Sequence, residues 1–242
     1  MTPNQFCQQL CLHGVKLNPE QLKQFAEYYR LMIKVNQRIN LTTITQKSMV
    51  YLKHFYDSLT PAFYFEGLRH HHLSVCDVGS GAGFPALPLK IAFPQLNVTI
   101  IDAVNKRIRF LERLCQALRL KNVALNHSRA ETFGRFKSPH REQYDLVLAR
   151  AVAKLNVLAE YCLPLVKVGG SFIAMKSVRA HEELKQAAFA IKLLGGKLVA
   201  LHSFTLAGSN EKRSLIVIRK QKKTPQKYPR RSGVPSRKPL SR

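Results

Sequence analysis

The sequence predicts an α/β protein: a seven-stranded sheet preceded by a helical region and followed by a basic, proline-rich tail. Three observations carry this. Short apolar runs alternate with helix-periodic segments from residue 73 to 220, a glycine-rich turn joins the first run to the next helix, and helical spacing fills residues 1–66. With 242 residues, 45% of them hydrophobic, the chain can bury most of its unfolded surface, which excludes disorder throughout.

Each element has a local reason. Pro19-Glu20 opens a helix in which Leu22, Phe25, Ala26, Tyr29, Met32 and Ile33 recur at helical spacing, and a second helix is expected around residues 47–59. From residue 73 the period changes. Strands are expected near 73–78, 97–101, 122–126, 144–148, 170–175, 197–204 and 214–219. Helices near 85–93, 105–119, 154–163 and 179–194 fill the intervals. Only the polar run 207–213 separates the last two strands, too short for a crossover helix, so they should pair antiparallel at the sheet edge. The chain thus divides into a helical region over 1–66, a sheet domain over 67–219 and a tail over 220–242.

There are 39 Lys+Arg against 14 Asp+Glu, a formal charge of +25, which argues against an ordinary acidic or neutral metabolic enzyme. Residues 219–242 hold ten Lys/Arg, four Pro and no acid. A segment of that composition cannot fold alone, but it can lie along a polyanion and gain affinity by releasing counterions; the alternative is a solubilising, disordered tail. The first 218 residues remain strongly basic without it, so nucleic acid is the expected partner. The longest apolar stretch, 155–168, is broken by Asn156, Glu160, Pro164 and Lys167, short of the roughly 20 residues a membrane span needs. No membrane segment or signal peptide is expected, and five cysteines, an odd number, suit a reducing cytoplasm. No metal is expected either. Cys7 and Cys11 have no second ligand pair at zinc-like spacing, and the adjacent residues His70, His71 and His72 point in different directions.

The strongest local signal is Asp77-Val-Gly79-Ser-Gly81-Ala-Gly83-Phe84-Pro85, joining a strand to a helix. Glycines allow a tight turn and bring backbone N–H groups against a ligand at a helix start, so a nucleotide-like ligand is implied. A dinucleotide fingerprint fails in the frame starting at Gly79, because Phe84 stands where glycine or alanine is required. In the frame Gly81-x-Gly83-x-x-Ala86 the looser form is met. Asp102 ends the next apolar run, nineteen residues beyond Gly83, where a carboxylate can accept from both ribose hydroxyls. Ser128-Arg-Ala130-Glu131 follows the third strand and Ala149-Arg150-Ala151 the fourth. All fall at C-terminal strand ends, where an open α/β sheet places its ligand. Singly, Asp77 could merely cap the loop, Glu131 solvate a turn and Arg150 pair with a surface carboxylate. Spaced one per strand end, they favour a site.

These residues resemble the class I S-adenosylmethionine-dependent methyltransferases, with their Rossmann-like sheet. More narrowly they resemble the ribosomal RNA small subunit methyltransferase G family, also called glucose-inhibited division protein B, which methylates N7 of a guanine in 16S rRNA. The likeness extends to Asn40-Leu-Thr42, His54-Phe-Tyr-Asp57-Ser-Leu59, Arg129-Ala-Glu131, Arg150-Ala151, and Tyr228-Pro-Arg-Arg231 with Lys238-Pro239, and so covers almost the whole chain. Ala86, where the family commonly has glycine, is one departure. The resemblance implies that residues 67–219 bind S-adenosylmethionine through Gly79, Gly81 and Phe84 of the loop, Asp102 at the ribose, Ala130 and Glu131 at the adenine, and Arg150 beside the methionine end. Phe84 could instead be plain core. The implied substrate is the 530-loop region of 16S rRNA, free or in the small ribosomal subunit.

Guanine N7 has a free lone pair at neutral pH, so no general base is expected, and orientation should supply most of the rate. Arg150 is the first candidate for that orienting role, ahead of Asn40 and His54. RNA contacts are expected from the N-terminal helices, from Lys106, Arg107 and Arg109, and from tail residues Arg230, Arg231, Arg237 and Lys238, with Tyr228 stacking on a base. Three other readings remain open on the residues alone: a nucleic-acid-binding module keeping a vestigial nucleotide fold, a nicotinamide-dependent dehydrogenase, and a methyltransferase acting on protein or on a small molecule. A monomer is expected, because no long heptad repeat occurs.

Overall fold

The computed structural model describes residues 1–241. The chain opens with α1 (Pro3–Leu12) and α2 (Pro19–Ile39), each started by a proline and a capping box, Thr2 with Gln5 and Asn18 with Gln21. Helix α2 buries Gln21, Phe25, Tyr28 and Met32. This stripe is displaced from the one expected around Leu22, which is 37% exposed. Polar anchors set the rotation: the Gln21 amide donates to the carbonyl of Ile91, and Tyr28 Oη donates to that of Ala82. An apolar count cannot register such bonds.

The helix expected around 47–59 is present but composite. It begins as α3 (Lys47–Val50), widens into a π-helical stretch at Tyr51–Tyr56 and ends as α4 (Asp57–Leu59); α5 (Pro61–Tyr64) and α6 (Gly67–His70) follow. Wide turns of this kind are frequent at functional sites.

The sheet comprises β1 (Ser74–Val78), β2 (Asn97–Asp102), β3 (Val123–His127), β4 (Tyr144–Arg150), β5 (Val166–Lys176), β6 (Gly196–Thr205) and β7 (Lys212–Lys220), in the order β3-β2-β1-β4-β5-β7-β6. The first five are parallel, and β7 runs antiparallel between β5 and β6, as the short connection 207–213 requires. Between them lie α7 (Ala86–Ala92), α8 (Asn105–Ala117), α9 (Ala130–Phe133), α10 (Leu155–Cys162) and α11 (Ala180–Leu193). The order reverses direction at β1, so the loops after β1 and β4 part there and leave a crevice at the carboxyl edge.

Two cores flank the sheet. On one face α1, α2, the π-helical stretch, α7 and α8 pack around Phe6, Phe25, Tyr28, Phe55 and Leu111; on the other, α9, α10 and α11 pack around Phe133, Leu158, Phe172 and Ile191. No helix among the described residues is long and apolar enough to cross a membrane.

The tail differs from expectation. It is a docked strap carrying one further turn, α12 (Val234–Arg237), with Tyr228 and Leu240 buried in the second core. Arg141 donates to the carbonyls of Tyr228 (2.7 Å) and Thr224 (2.8 Å). Arg230 grips the fully buried Glu160, with Nη2 to Oε2 at 2.6 Å and Nε to Oε1 at 2.9 Å. Tyr228 therefore presents no ring for base stacking, and Arg230 is committed to a carboxylate. The sequence hid this because the anchors, Glu160 and Arg141, are 70 and more residues away and belong to the body of the protein.

Candidate active site

Three glycines with positive φ, Gly79 (74°), Gly81 (62°) and Gly83 (104°), form the turn after β1. Asp77, fully buried, ties its two ends: Oδ2 accepts from Ser80 Oγ (2.6 Å) and from the Ala86 backbone N–H (3.1 Å). Burial raises its carboxyl to about 7. Gly83 admits no side chain, since a Cβ there would meet Tyr28 Oη at 2.5 Å. At Gly81 nothing lies within 4 Å, leaving its open side to a ligand.

Asp102 ends β2 at 3% exposure. Its Oδ2 accepts from the Gly81 N–H (3.0 Å) and its Oδ1 from the Val104 N–H (2.8 Å). Oδ2 also accepts from Arg107 Nη1 at 3.4 Å, so of the two lone pairs on each oxygen only Oδ1 keeps one for a hydroxyl. Gly79, Asp102, Ser128, Ala130, Glu131, Val152 and Tyr161 line a cavity of about 130 Å³. Small-molecule sites usually occupy roughly 300–1,000 Å³. The cavity is small because Val152 crosses it: a Cβ on Gly79 would lie 2.8 Å from Val152 Cγ2.

Beyond Val152 opens a larger cleft of about 560 Å³, lined by Lys53, His54, Asp57, Arg150, Lys176 and Arg213 among others. Arg150, at the end of β4, is fixed from several sides. Its Nη1 donates to the carbonyls of Lys53 (3.2 Å) and His54 (3.4 Å) in the π-helical turn and to Asp57 Oδ2 (3.3 Å), and its guanidinium lies 5.0 Å from the centroid of Phe84. Asp57 Oδ2 also accepts from Arg213 Nε at 3.4 Å. His54 stacks on Phe84 at 4.6 Å and shares a 2.8 Å hydrogen bond with Thr42 Oγ1. Burial and then the Arg150 charge push its imidazole down to about 3, so it stands neutral at pH 7.

The structure brings Gly79, Asp102, Ala130 and Glu131 to the small cavity, with Gly81 behind the Asp102 carboxylate, and Arg150 to the neighbouring cleft. Phe84 lines neither: it is buried among Tyr28, Phe55 and His54 as a platform under Arg150. Asn40 serves as the left-handed C-cap of α2. Sequence reasoning gave no role to Lys53, Asp57, Arg213 and Tyr161. Arg213 arrives from the antiparallel β7, and nothing in its neighbourhood in the chain distinguishes it from Lys212.

A third feature lies outside the crevice. Lys34 and Arg38 on α2 face Lys106, Arg109 and Arg113 on α8 across a groove of about 420 Å³ floored by Val35, Ile39 and Phe110. Among the described residues none of these five cations forms an ion pair, whereas Arg107 is turned to Asp102 at 3.4 Å.

A profile of the family described as rRNA small subunit methyltransferase G matches residues 21–216. The "Ribosomal RNA small subunit methyltransferase G" of Limosilactobacillus reuteri is 58% identical over 240 residues, covering 99% of this chain and 100% of that protein. The protein of the same name from Staphylococcus carnosus is 54% identical over 94% of each chain. Among solved structures, a SAM-dependent methyltransferase from Aquifex aeolicus superposes with a TM-score of 0.54 at 16% identity, covering 74% of this chain and 97% of that one, a likeness of fold.

Proposed function

The chain belongs to the rRNA small subunit methyltransferase G family, and from that membership we propose that it transfers a methyl group from S-adenosylmethionine to N7 of a guanine in the 530-loop region of 16S rRNA. The observation that carries the reading is the pairing of two pockets at the sheet's switch point. One is edged by Asp102 and Glu131, the other by Arg150, and one side chain, Val152, stands between them.

In the small cavity, which Val152 narrows, Asp102 Oδ1 offers a free lone pair to a ribose hydroxyl, and Ala130 with Glu131 offers an apolar and an accepting contact to an adenine base. The donor brings a methyl group on a positively charged sulfur, and as the N7 lone pair bonds to that carbon the carbon–sulfur pair stays on sulfur, giving a neutral thioether and an N7-methylguanine cation. Neither step moves a proton, which agrees with a cleft whose one histidine is neutral and bonded to Thr42. Arg150 holds the guanine. Its Nη1 is taken by the protein, and its Nε and Nη2, without partners among the described residues, are donors for an oxygen such as guanine O6. Asp57, the carbonyls and the Phe84 face fix the guanidinium beforehand, so orientation is supplied before the substrate arrives. Lys53, Lys176 and Arg213 stand on the cleft wall, each paired with a carboxylate, Glu211, Glu183 and Asp57 respectively.

The test is methyl transfer from labelled S-adenosylmethionine to small-subunit particles from cells without the corresponding enzyme, followed by mapping of N7-methylguanine. Label at one guanine of the 530-loop region is expected, and Arg150→Ala should lower single-turnover transfer by about 10²-fold, the usual effect of removing a preorganised donor. Wild-type protein that binds the donor yet labels no small-subunit RNA refutes the assignment.

A further inference from the structure

The docked strap has no place in that chemistry, yet it ends against the small cavity from behind. Glu131 is 5% exposed, and its Oε1 accepts from the backbone N–H of Gly233 at 2.8 Å. Gly233 stands at φ 81°, a left-handed conformation that glycine adopts without strain, at the N-terminus of α12. The other wall residue on this side, Tyr161, shares a 2.7 Å hydrogen bond with Ser236 Oγ of the same turn. The turn is itself anchored by Arg230, whose backbone N–H and guanidinium both donate to Glu160, on the helix that carries Tyr161. Two cavity residues from two helices are thus fixed by one segment from the end of the chain.

We propose that the strap, residues 224–241, is a positioning element of the donor site. Through Gly233 and Ser236 it sets the placement of Glu131 and Tyr161, and through them the affinity for the adenine end of the donor. The inference rests on the reading that this cavity takes S-adenosylmethionine. Its physical basis is the division of labour at Glu131. Oε1 is committed to the strap; Oε2 has no partner among the described residues and belongs to the side chain that lines the cavity. A carboxylate held by one oxygen presents the other at a fixed place, where it accepts from the exocyclic amine of adenine. With the strap undocked, both oxygens turn to water, and the ordering of Glu131 must be supplied by the ligand.

Arg230→Met removes the anchor and keeps the side-chain length. The expected result is about tenfold weaker binding of S-adenosylmethionine by calorimetry, the effect of one hydrogen bond to a charged group. KM for the donor rises in parallel while kcat at saturating donor stays within twofold. The preference for S-adenosylmethionine over its inosyl counterpart, which has a carbonyl in place of the amine, also shrinks. Arg230→Lys, which retains the charge, should recover part of each effect. Ser236→Ala is a milder second variant that keeps the Glu160 anchor; it should shift donor KM in the same direction by about threefold. Unchanged donor affinity in folded Arg230→Met, or equal weakening of the adenine and inosine donors, overturns the proposal. Wild-type protein that binds no S-adenosylmethionine overturns the reading of the cavity itself, and so separates that failure from a failure of the strap.

Discussion

The groove between α2 and α8 makes a quantitative demand on RNA binding. It presents five cations, Lys34, Arg38, Lys106, Arg109 and Arg113, none in an ion pair among the described residues. Each contact to a single-stranded phosphate contributes about −0.7 to the slope of log affinity against log salt, so five contacts give about −3.5, roughly a hundredfold loss between 50 and 200 mM. Replacing Lys106, Arg109 and Arg113 together by Gln leaves two cations and should make the slope shallower by about 2. The assay is fluorescence anisotropy of a labelled rRNA loop fragment over a series of KCl concentrations, with donor binding as the control. Donor affinity should not move, because the α8 cation that touches Asp102 is Arg107, which is untouched. A parallel variant with Lys222, Lys223 and Lys227 as Gln tests the strap and the two residues that lead into it, whose exposed lysines lie on the chain beyond β7. A slope unchanged in the groove variant, or lost entirely in the strap variant, refutes the assignment of the phosphate track to α2 and α8.

Two further outcomes follow from buried groups of the site. His54, pushed down to about 3, stays neutral in the fold while the unfolded histidine gains a proton below about 6.5, so its share of stability is lost as pH falls through that window. Asp77, raised to about 7, stays protonated in the fold while the unfolded carboxyl ionises above about 4, so its share is present at low pH and lost as pH rises toward 7. The two oppose each other between about pH 4 and 6.5. Asp77→Asn should therefore leave stability falling with acid, and His54→Gln should leave it rising; urea melts giving the same sign for both variants would sink this account. Among the loop glycines, Gly83→Ala should cost more than Gly81→Ala in the same melts. Both positions carry a left-handed penalty of about 1–2 kcal/mol, but only the Gly83 Cβ collides with Tyr28 Oη and Leu87 Cδ1. Equal costs would mean that Tyr28 yields freely.

Much of this molecule could be read from the chain because its signals are local. The strand-to-helix alternation, the antiparallel edge forced by 207–213, and the glycine turn with Asp102 nineteen residues on all depend on neighbours within one βα unit. What escaped reading depends on partners far away. The strap looked like a free polybasic arm because Glu160, which neutralises Arg230, sits 70 residues earlier in an apolar helix where a lone glutamate has no evident purpose. The rotation of α2 escaped for the same reason, since Gln21 and Tyr28 are turned inward by carbonyls of the loop and helix they meet. Lys53, Asp57 and Arg213 join Arg150 only when the π-helical turn and β7 converge on the end of β4.

The placement of the few acids resolves an electrostatic difficulty. A protein of net charge +25 repels a cationic donor and attracts RNA, and the reaction needs both at one point. With 14 carboxylates in the chain, two of them, Asp102 and Glu131, line the small cavity, each nearly buried, while Asp77 beside it is kept protonated by burial up to about pH 7. Buried charge acts through low dielectric and escapes salt screening, so a few such groups outweigh many exposed lysines over short distances. The lining of the cleft across Val152 is net positive, Lys53, Arg150, Lys176 and Arg213 against Asp57 and Glu183. On the proposed reading the methyl group passes from the more anionic pocket to the more cationic one, toward a guanine that gains positive charge as it accepts. Asp57, 5% exposed, bonds Arg150 and Arg213 through Oδ2, and its buried Oδ1 has no partner among the described residues. On that reading the carboxylate that fixes the orienting arginine also offsets part of the positive charge of the cleft where the product cation forms, so the Arg150–Asp57 pair carries positioning and electrostatic stabilisation together.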